Sequence, residues 1–163
     1  MNHEIANTNV SFEFLKNSTE FLNIVLNNIN SCVLLLDKEM KLHAFNDSMK
    51  TIFSNHKDEH LLYRRCGEAL GCAYQIEEVK DCGKTSRCHE CEIRIAAMES
   101  YLNNKVIYKE HIEKPFFNLG DEKVNKHLQF STRLFKFQGE KYIIMIVEDI
   151  TKLMEMKKLL VSN

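Results

Sequence analysis

The alternation of apolar and polar positions divides the chain into two β-rich blocks with helical segments around them. Apolar residues at helical spacing predict an amphipathic helix over about 12–29, with asparagine and glutamate on its other side. The apolar run 31–36 favours a strand, and residues 41–45 alternate with a period of two. Charged residues 37–39 separate these two runs, and the two runs together predict a first hairpin.

A second block of strands lies towards the end of the chain. Residues 106–112 favour a strand, and Pro115 predicts either the end of that strand or an edge position. Residues 127–137 alternate with a period of two, and residues 142–147 are the most hydrophobic run in the chain, so they predict a long hairpin. Asp149 can cap a final helix whose apolar residues again fall on one stripe.

Two helical stretches connect the blocks. Asn46 or Asp47 can cap a short helix, residues 55–60 are polar and turn-like, and residues 92–102 are rich in helix formers. The order is a helix, two strands, short helices, a longer helix, three strands and a final helix. This order predicts an α+β domain with one five-stranded antiparallel sheet and helices on one face.

The segment from Arg65 to Cys91 differs in composition from both blocks. It contains five of the six cysteines and three of the five glycines of the chain. After Cys72 it has only three sizeable apolar side chains, which are too few to offset the ordering of about 20 residues at roughly 1 to 2 kcal/mol each. A metal ion or cluster held by thiolates would close this segment.

Composition narrows the classes of function. The 163 residues suffice for one domain with a core, and the net charge of −1 gives no electrostatic footprint for nucleic acid. There is no export leader and no apolar run of membrane-spanning length, so we expect a cytoplasmic protein without membrane insertion. Cytoplasmic thiols stay reduced, which favours metal binding or redox chemistry over disulfides. No catalytic motif stands out, and we expect no enzymatic activity.

The two blocks resemble those of a PAS domain. The residues 33–37 (VLLLD) followed by 42–46 (LHAFN) look like the opening strand pair and the asparagine that starts the next helix. The residues 144–151 (IMIVEDIT) look like the last strand and its junction with a signalling helix. The resemblance covers about Phe21 to Leu160 and implies the PAS fold, with its five-stranded sheet.

The same resemblance implies a domain organisation and a signalling role. Residues 1–20 form an N-terminal segment and the start of the first helix, residues 21–150 the PAS domain with a Cys-rich insertion at 66–91, and residues 151–163 a signalling helix. Only about two heptads follow Asp149, so we expect the first helix to contribute to a homodimer. A signalling partner such as a kinase or regulator would receive the output.

The cysteine segment is similar to that of a subset of PAS sensors with a Gly-Cys, Cys-Gly, Cys-x-x-Cys series. Related sensors carry an oxygen-labile iron-sulfur cluster on four cysteines, so the resemblance implies Cys72, Cys82, Cys88 and Cys91 as ligands. Cys66 stands where the pattern has proline and is left outside this set. A spare ligand, a disulfide partner for Cys72 and a plain loop residue are its three alternatives.

The identity of the metal stays open, because Zn²⁺ and iron-sulfur clusters both accept four thiolates. A single Cys-x-x-Cys pair with unevenly spaced further cysteines is somewhat more usual for a cluster than for structural zinc. Glycines that let backbone amides approach the sulfurs would suit either metal, as would a helix N-terminus near Cys91. A metal-free thiol switch is a further alternative.

The remaining cysteine and the histidines are expected to have ordinary roles. Cys32 lies in an apolar strand and is expected to be a core thiol. His89 lies between two candidate ligands and is expected to face solvent, while His43, His111 and His127 are expected to be satisfied or exposed rather than haem ligands.

The sequence therefore predicts a PAS sensory domain that senses oxygen or redox state through a cysteine-ligated iron-sulfur cluster and relays it through the C-terminal helix. Two other hypotheses remain. The domain is an interaction and dimerisation module with an inert Zn²⁺ site, or its sheet binds a small organic ligand and the cysteines are incidental.

Overall fold

The two predicted hairpins are parts of one five-stranded antiparallel sheet, which confirms the α+β fold class. The computed structural model describes residues 18–53 and 60–162. The strands lie side by side in the order β2-β1-β5-β4-β3, so β2 and β3 are the two edges. Their bounds are Cys32–Leu36 for β1, Leu42–Phe45 for β2, Ile107–Phe117 for β3, Lys123–Phe137 for β4 and Glu140–Asp149 for β5.

The described residues also form six α-helices. None of them combines the length and the apolar composition that crossing a bilayer requires. The predicted N-terminal residues 1–17 and most of the predicted turn, 55–59, lie outside the described residues. The helices are α1 (Thr19–Asn28), α2 (Ser48–Ile52), α3 (Cys66–Leu70), α4 (Ala73–Glu78), α5 (Glu92–Asn103) and α6 (Thr151–Ser162), with a 3-10 turn at Cys88–Glu90.

One face of the sheet carries the core because successive side chains of a strand point to opposite faces. On β4, Leu128, Phe130 and Thr132 share that face and are buried. Helix α5 packs against β3, β4 and β5, and its buried side chains join the same core. Each large apolar side chain buried there contributes about 1.5 to 3 kcal/mol. The predicted helix over 92–102 is confirmed as α5, and its buried side chains include Ile93, Ala96 and Ala97.

Within the described residues, the helix predicted over 12–29 begins at Thr19, and residues 12–17 of that prediction lie outside the described residues. Ser18 has an extended backbone, and its hydroxyl accepts a 3.1 Å hydrogen bond from the N–H of Phe21. A serine in this position starts a helix because it satisfies an N–H that the helix itself leaves free. The described helix is therefore Thr19–Asn28 rather than one continuous element from residue 12.

Strand β3 is longer than predicted and continues through Pro115 to Phe117. Proline has no N–H to donate to a neighbouring strand, so it is tolerated where one side of the strand has no partner strand. Pro115 pairs with Asn125 of β4, and β3 is an edge strand. Of the two alternatives for Pro115, the edge position is confirmed and the strand end is wrong.

Asn46 does not cap helix α2, and neither does the side chain of Asp47. The buried Asn46 side chain instead joins three backbone groups. Its Oδ1 accepts from the N–H of Val33 at 2.9 Å, and its Nδ2 donates to the carbonyls of Leu26 at 2.7 Å and Ser31 at 2.9 Å. The asparagine therefore fixes α1 and the start of β1 against the end of β2.

We predict that Asn46→Ala lowers the free energy of unfolding by about 2 to 4 kcal/mol, because three hydrogen bonds are lost and the N–H of Val33 loses its side-chain acceptor. Urea unfolding followed by circular dichroism measures this change. Asn23→Ala, on the exposed surface of α1, is the matched control and is expected to stay within about 0.5 kcal/mol of the parent. Equal stability of the two variants would contradict the assignment.

Candidate metal centre

The cysteine segment is attached to both edges of the sheet. Next to β2, the N–H of Cys66 donates to the carbonyl of Met40 at 2.7 Å. Next to β3, Cys72 forms an antiparallel bridge with Phe116, and the N–H of Phe117 donates to the carbonyl of Gly71 at 2.9 Å. The segment thus connects one edge of the sheet to the other and brings its cysteines onto the core side.

The first half of this segment is packed into the core, whereas the second half is not. Cys66, Leu70 and Ala73 are buried. Farther along, Val79 is 87% exposed and has a left-handed backbone. The prediction that the residues after Cys72 lack apolar packing is therefore confirmed, while the hypothesis that Cys66 is a plain loop residue is wrong. Cys66 lies in the first turn of α3, and its buried thiol is close to those of other cysteines.

Five thiols line one cavity of about 40 Å³. This is more than the roughly 10 to 15 Å³ that one water molecule requires. The structure thus brings the four candidate ligands together and adds the fifth thiol of Cys66. Their sulfurs are free thiols, so Cys66 is not a disulfide partner of Cys72 in this structure. The cysteines of the cavity are Cys66, Cys72, Cys82, Cys88 and Cys91.

The thiols surround the cavity rather than a single point. Among residues 18–53 and 60–162, no three His, Cys, Asp or Glu side chains converge closely enough to hold one metal ion. A zinc ion, with Zn–S bonds of about 2.3 Å, would require the sulfurs to move inward. An iron-sulfur cluster also takes cysteine thiolates as ligands, and its several iron and sulfide atoms occupy a wider centre than one ion.

Backbone amides donate to two of the sulfurs. The N–H of Gly67 donates to Sγ of Cys82 at 3.3 Å, and the N–H of Gly83 donates to Sγ of Cys88 at 3.1 Å. Thr85 adds its own N–H at 3.3 Å and its hydroxyl at 3.0 Å to Cys88. Hydrogen bonds of this kind stabilise thiolates and tune the metal that they bind.

These contacts and burial act on the thiol pKa values in opposite directions. Burial raises the pKa of Cys82 to about 11, although the Gly67 amide works against it. Burial also acts on Cys88, but there the donors from Thr85 and Gly83 and the charge of Arg94 outweigh it and lower the pKa. Burial holds the pKa of Cys66 well above its usual range. Of Cys66, Cys82 and Cys88, the last is therefore the thiol best prepared to bind a metal as a thiolate.

Lys114 of strand β3 is a part of the site that sequence reasoning missed. Its Nζ lies 3.8 Å from Sγ of Cys91, and its side chain lines the cavity together with Cys72. Burial alone would lower the pKa of Lys114. The sulfurs of Cys91 and Cys72 together outweigh this effect, so the pKa of Lys114 is raised. Lys114 shares a strand face with Ile112 and Phe116, which are both buried. Extending the alternation beyond residue 112 identifies it as an inward-facing position.

The residues outside the cavity mostly agree with expectation. Cys32 is a buried thiol of β1, and burial raises its pKa to about 12. The side chain of His89 is 73% exposed, as predicted. His43 contacts Asp37 at 2.8 Å, and Nε2 of His111 lies 2.7 Å from Nδ1 of His127. The three strand histidines are thus satisfied by neighbours.

No protein-family model and no curated protein sequence matches the chain. Its structure is similar to the PAS domain of nitrogen regulation protein NR(II) from Vibrio parahaemolyticus, with a TM-score of 0.58 and 11% identity over 81% of this chain and 100% of that one. It is also similar to the PAS domain of BvgS from Bordetella pertussis, with a TM-score of 0.53 and 16% identity over 91% and 100%.

A third similar structure is a domain of the sensory box sensor histidine kinase/response regulator from Geobacter sulfurreducens. It has a TM-score of 0.50 and 14% identity, and the match covers 85% of this chain and 99% of that one. Identities this low show the fold alone. The chain therefore has the PAS fold, as its sequence predicts, whereas its place in the cysteine-containing subset stays a prediction.

We predict that Gly67→Ala disrupts the cavity. A Cβ at this position would lie 2.8 Å from Sγ and 3.2 Å from Cβ of Cys82, so the cysteine must move. We expect a loss of about 1 to 3 kcal/mol in the free energy of unfolding from overpacking. Gly120→Ala is the matched control, since its Cβ would meet only Oδ1 of Asn118 at 3.6 Å. Thermal unfolding of both variants checks this, and an unaffected Gly67→Ala would contradict the close approach of Cys82 to Gly67.

Proposed function

We propose that this PAS domain senses oxygen or redox state through an iron-sulfur cluster held by Cys72, Cys82, Cys88 and Cys91. The observation that carries the proposal is the cavity that these thiols line, with backbone amides directed at two of the sulfurs. A bound cluster would supply reversible electron transfer and reactivity towards oxygen. We further propose a cytoplasmic protein without enzymatic activity, because reduced thiols are needed and no catalytic motif accompanies them.

Helix α5 connects the cavity to the sheet. Cys91 is the N-cap residue of α5, so its position and that of the helix are linked. Nearer the end of the helix, the hydroxyl of Thr132 on β4 donates to the carbonyl of Ala96 at 3.1 Å. Its oxygen then accepts from the hydroxyl of Ser100, 2.7 Å away. This buried pair ties α5 to the central part of β4.

Strand β4 in turn holds the start of the C-terminal helix. The N–H of His127 donates to Oγ1 of Thr151 at 3.0 Å, and its carbonyl accepts from the N–H of Ile150 at 2.8 Å. Asp149 accepts from the N–H of Thr151 at 2.9 Å, which agrees with its predicted capping role. Lys126 contacts Asp149 at 3.0 Å. A displacement of α5 would thus reach α6 through β4.

We propose that α1 and α6 form the interface of a homodimer that passes the signal to a partner such as a histidine kinase or a regulator. In the described part of α6, no side chain is buried, and Leu153 and Met156 are more than half exposed. Leu22 and Ile24 of α1 are equally exposed. The proposal of a kinase partner is supported by the histidine kinase domain with the same fold.

We expect anaerobically prepared protein to be brown and to contain both iron and acid-labile sulfide. Replacing any one of Cys72, Cys82, Cys88 or Cys91 by alanine should abolish most of the visible absorption. Cys32→Ala is the control within the core, and it should keep the absorption although its small cavity costs about 1 kcal/mol. Cys66→Ala should also keep it. A colourless protein that contains zinc would contradict the proposal and support the structural zinc site.

Thr151→Val tests the connection to the output helix, because valine removes the acceptor for His127 but keeps the size of the side chain. We expect removal of iron to alter amide hydrogen exchange in both α5 and α6 of the parent protein. In the variant, the change in α5 should persist while that in α6 is reduced at least about threefold, since losing one hydrogen bond costs roughly 1 kcal/mol. Equal responses in α6 would exclude this route.

A further inference from the structure

Lys114 of β3 places its cation against the thiols of the cavity. Its Nζ lies 3.8 Å from Sγ of Cys91, and its side chain lines the cavity together with Cys72. The ammonium also lies 5.1 Å from the ring centre of Tyr74, which shields it from solvent on that side. Lys114 is half-buried, and an ammonium that is partly removed from water needs opposite charge or hydrogen bonds to compensate its lost hydration.

The Lys114 ammonium contacts a cysteine sulfur. The acidic residue next to it in sequence, Glu113, lies on the other strand face and contacts His127 at 3.3 Å. The sulfur that Lys114 contacts belongs to Cys91, a candidate ligand, and Cys72, another candidate ligand, lines the same cavity. A site in which four thiolates hold a metal centre has a net negative charge, and a nearby cation stabilises that charge most strongly when water is excluded.

We propose that Lys114 is the fixed counter-charge of the thiolate site, where it sets the reduction potential and slows the loss of metal. This inference rests on the proposed function and adds a positioning residue that lies outside the four candidate ligands. The Nζ of Lys114 contacts Cys91, and Lys114 lines the same cavity as Cys72, so its cation lies beside two of the candidate ligands. Adding an electron makes the site more negative, and Lys114 favours that reduced state.

The test compares three full-length variants with the parent protein after anaerobic reconstitution with iron and sulfide. Lys114→Met keeps the length of the side chain and removes the charge, while Lys114→Arg keeps the charge. Lys109→Met is the matched control, since Lys109 lies exposed on the same strand. The readouts are the midpoint potential from a redox titration and the rate of iron release to a chelator. Urea unfolding of the metal-free proteins checks that each variant folds.

We expect Lys114→Met to shift the midpoint potential to a more negative value and to release iron about tenfold faster. Lys114→Arg and Lys109→Met should remain within about twofold of the parent in release rate. Parent-like behaviour of Lys114→Met would overturn the inference, and so would equal effects of methionine and arginine at this position. A parent protein that takes up no iron and sulfide would instead overturn the proposed function itself.

Discussion

The burial of several thiols around one cavity is the constraint on which this structure depends. A thiolate removed from water is costly unless donors and positive charge replace its hydration. The chain supplies these from separate places: the amides of Gly67 and Gly83, the hydroxyl of Thr85 and the ammonium of Lys114. The electrostatics of the cavity therefore depend on helix α3, the turn after Cys82 and the edge strand β3 staying in place together.

Helix α5 and strand β3 connect this cavity to strand β4, which contacts the C-terminal helix. Cys91, which lines the cavity, is the N-cap residue of helix α5. Strand β3 also lines the cavity, and it pairs with β4 along most of its length. Both elements meet β4, and β4 holds the first residues of α6. In the proposed relay, a change at the thiols would converge on β4 before it reached the C-terminal helix.

Patterns of burial along single elements are predictable from this sequence, whereas contacts across elements are not. The strands of both hairpins and helix α5 follow from their periodicity because one face of each packs on the core. The pattern predicts too short a strand β3 because Lys114 and Pro115 interrupt its apolar positions. Local sequence predicts a cap at Asn46, but its bonds to Leu26 and Val33 depend on the tertiary fold. Cys66 departs from a family pattern, and that departure carries no information about its burial.

The attachment of the cysteine segment to both edges of the sheet has a consequence for the metal-free chain. Edge strands present unpaired backbone groups, and proteins cover them to avoid pairing with other molecules. Here the segment occupies such groups beside Met40 and at Phe117. If the segment loosens when its thiols lose their centre, these backbone groups become available to a strand from another molecule. Self-association through the sheet edges would then report the loss of the proposed metal centre.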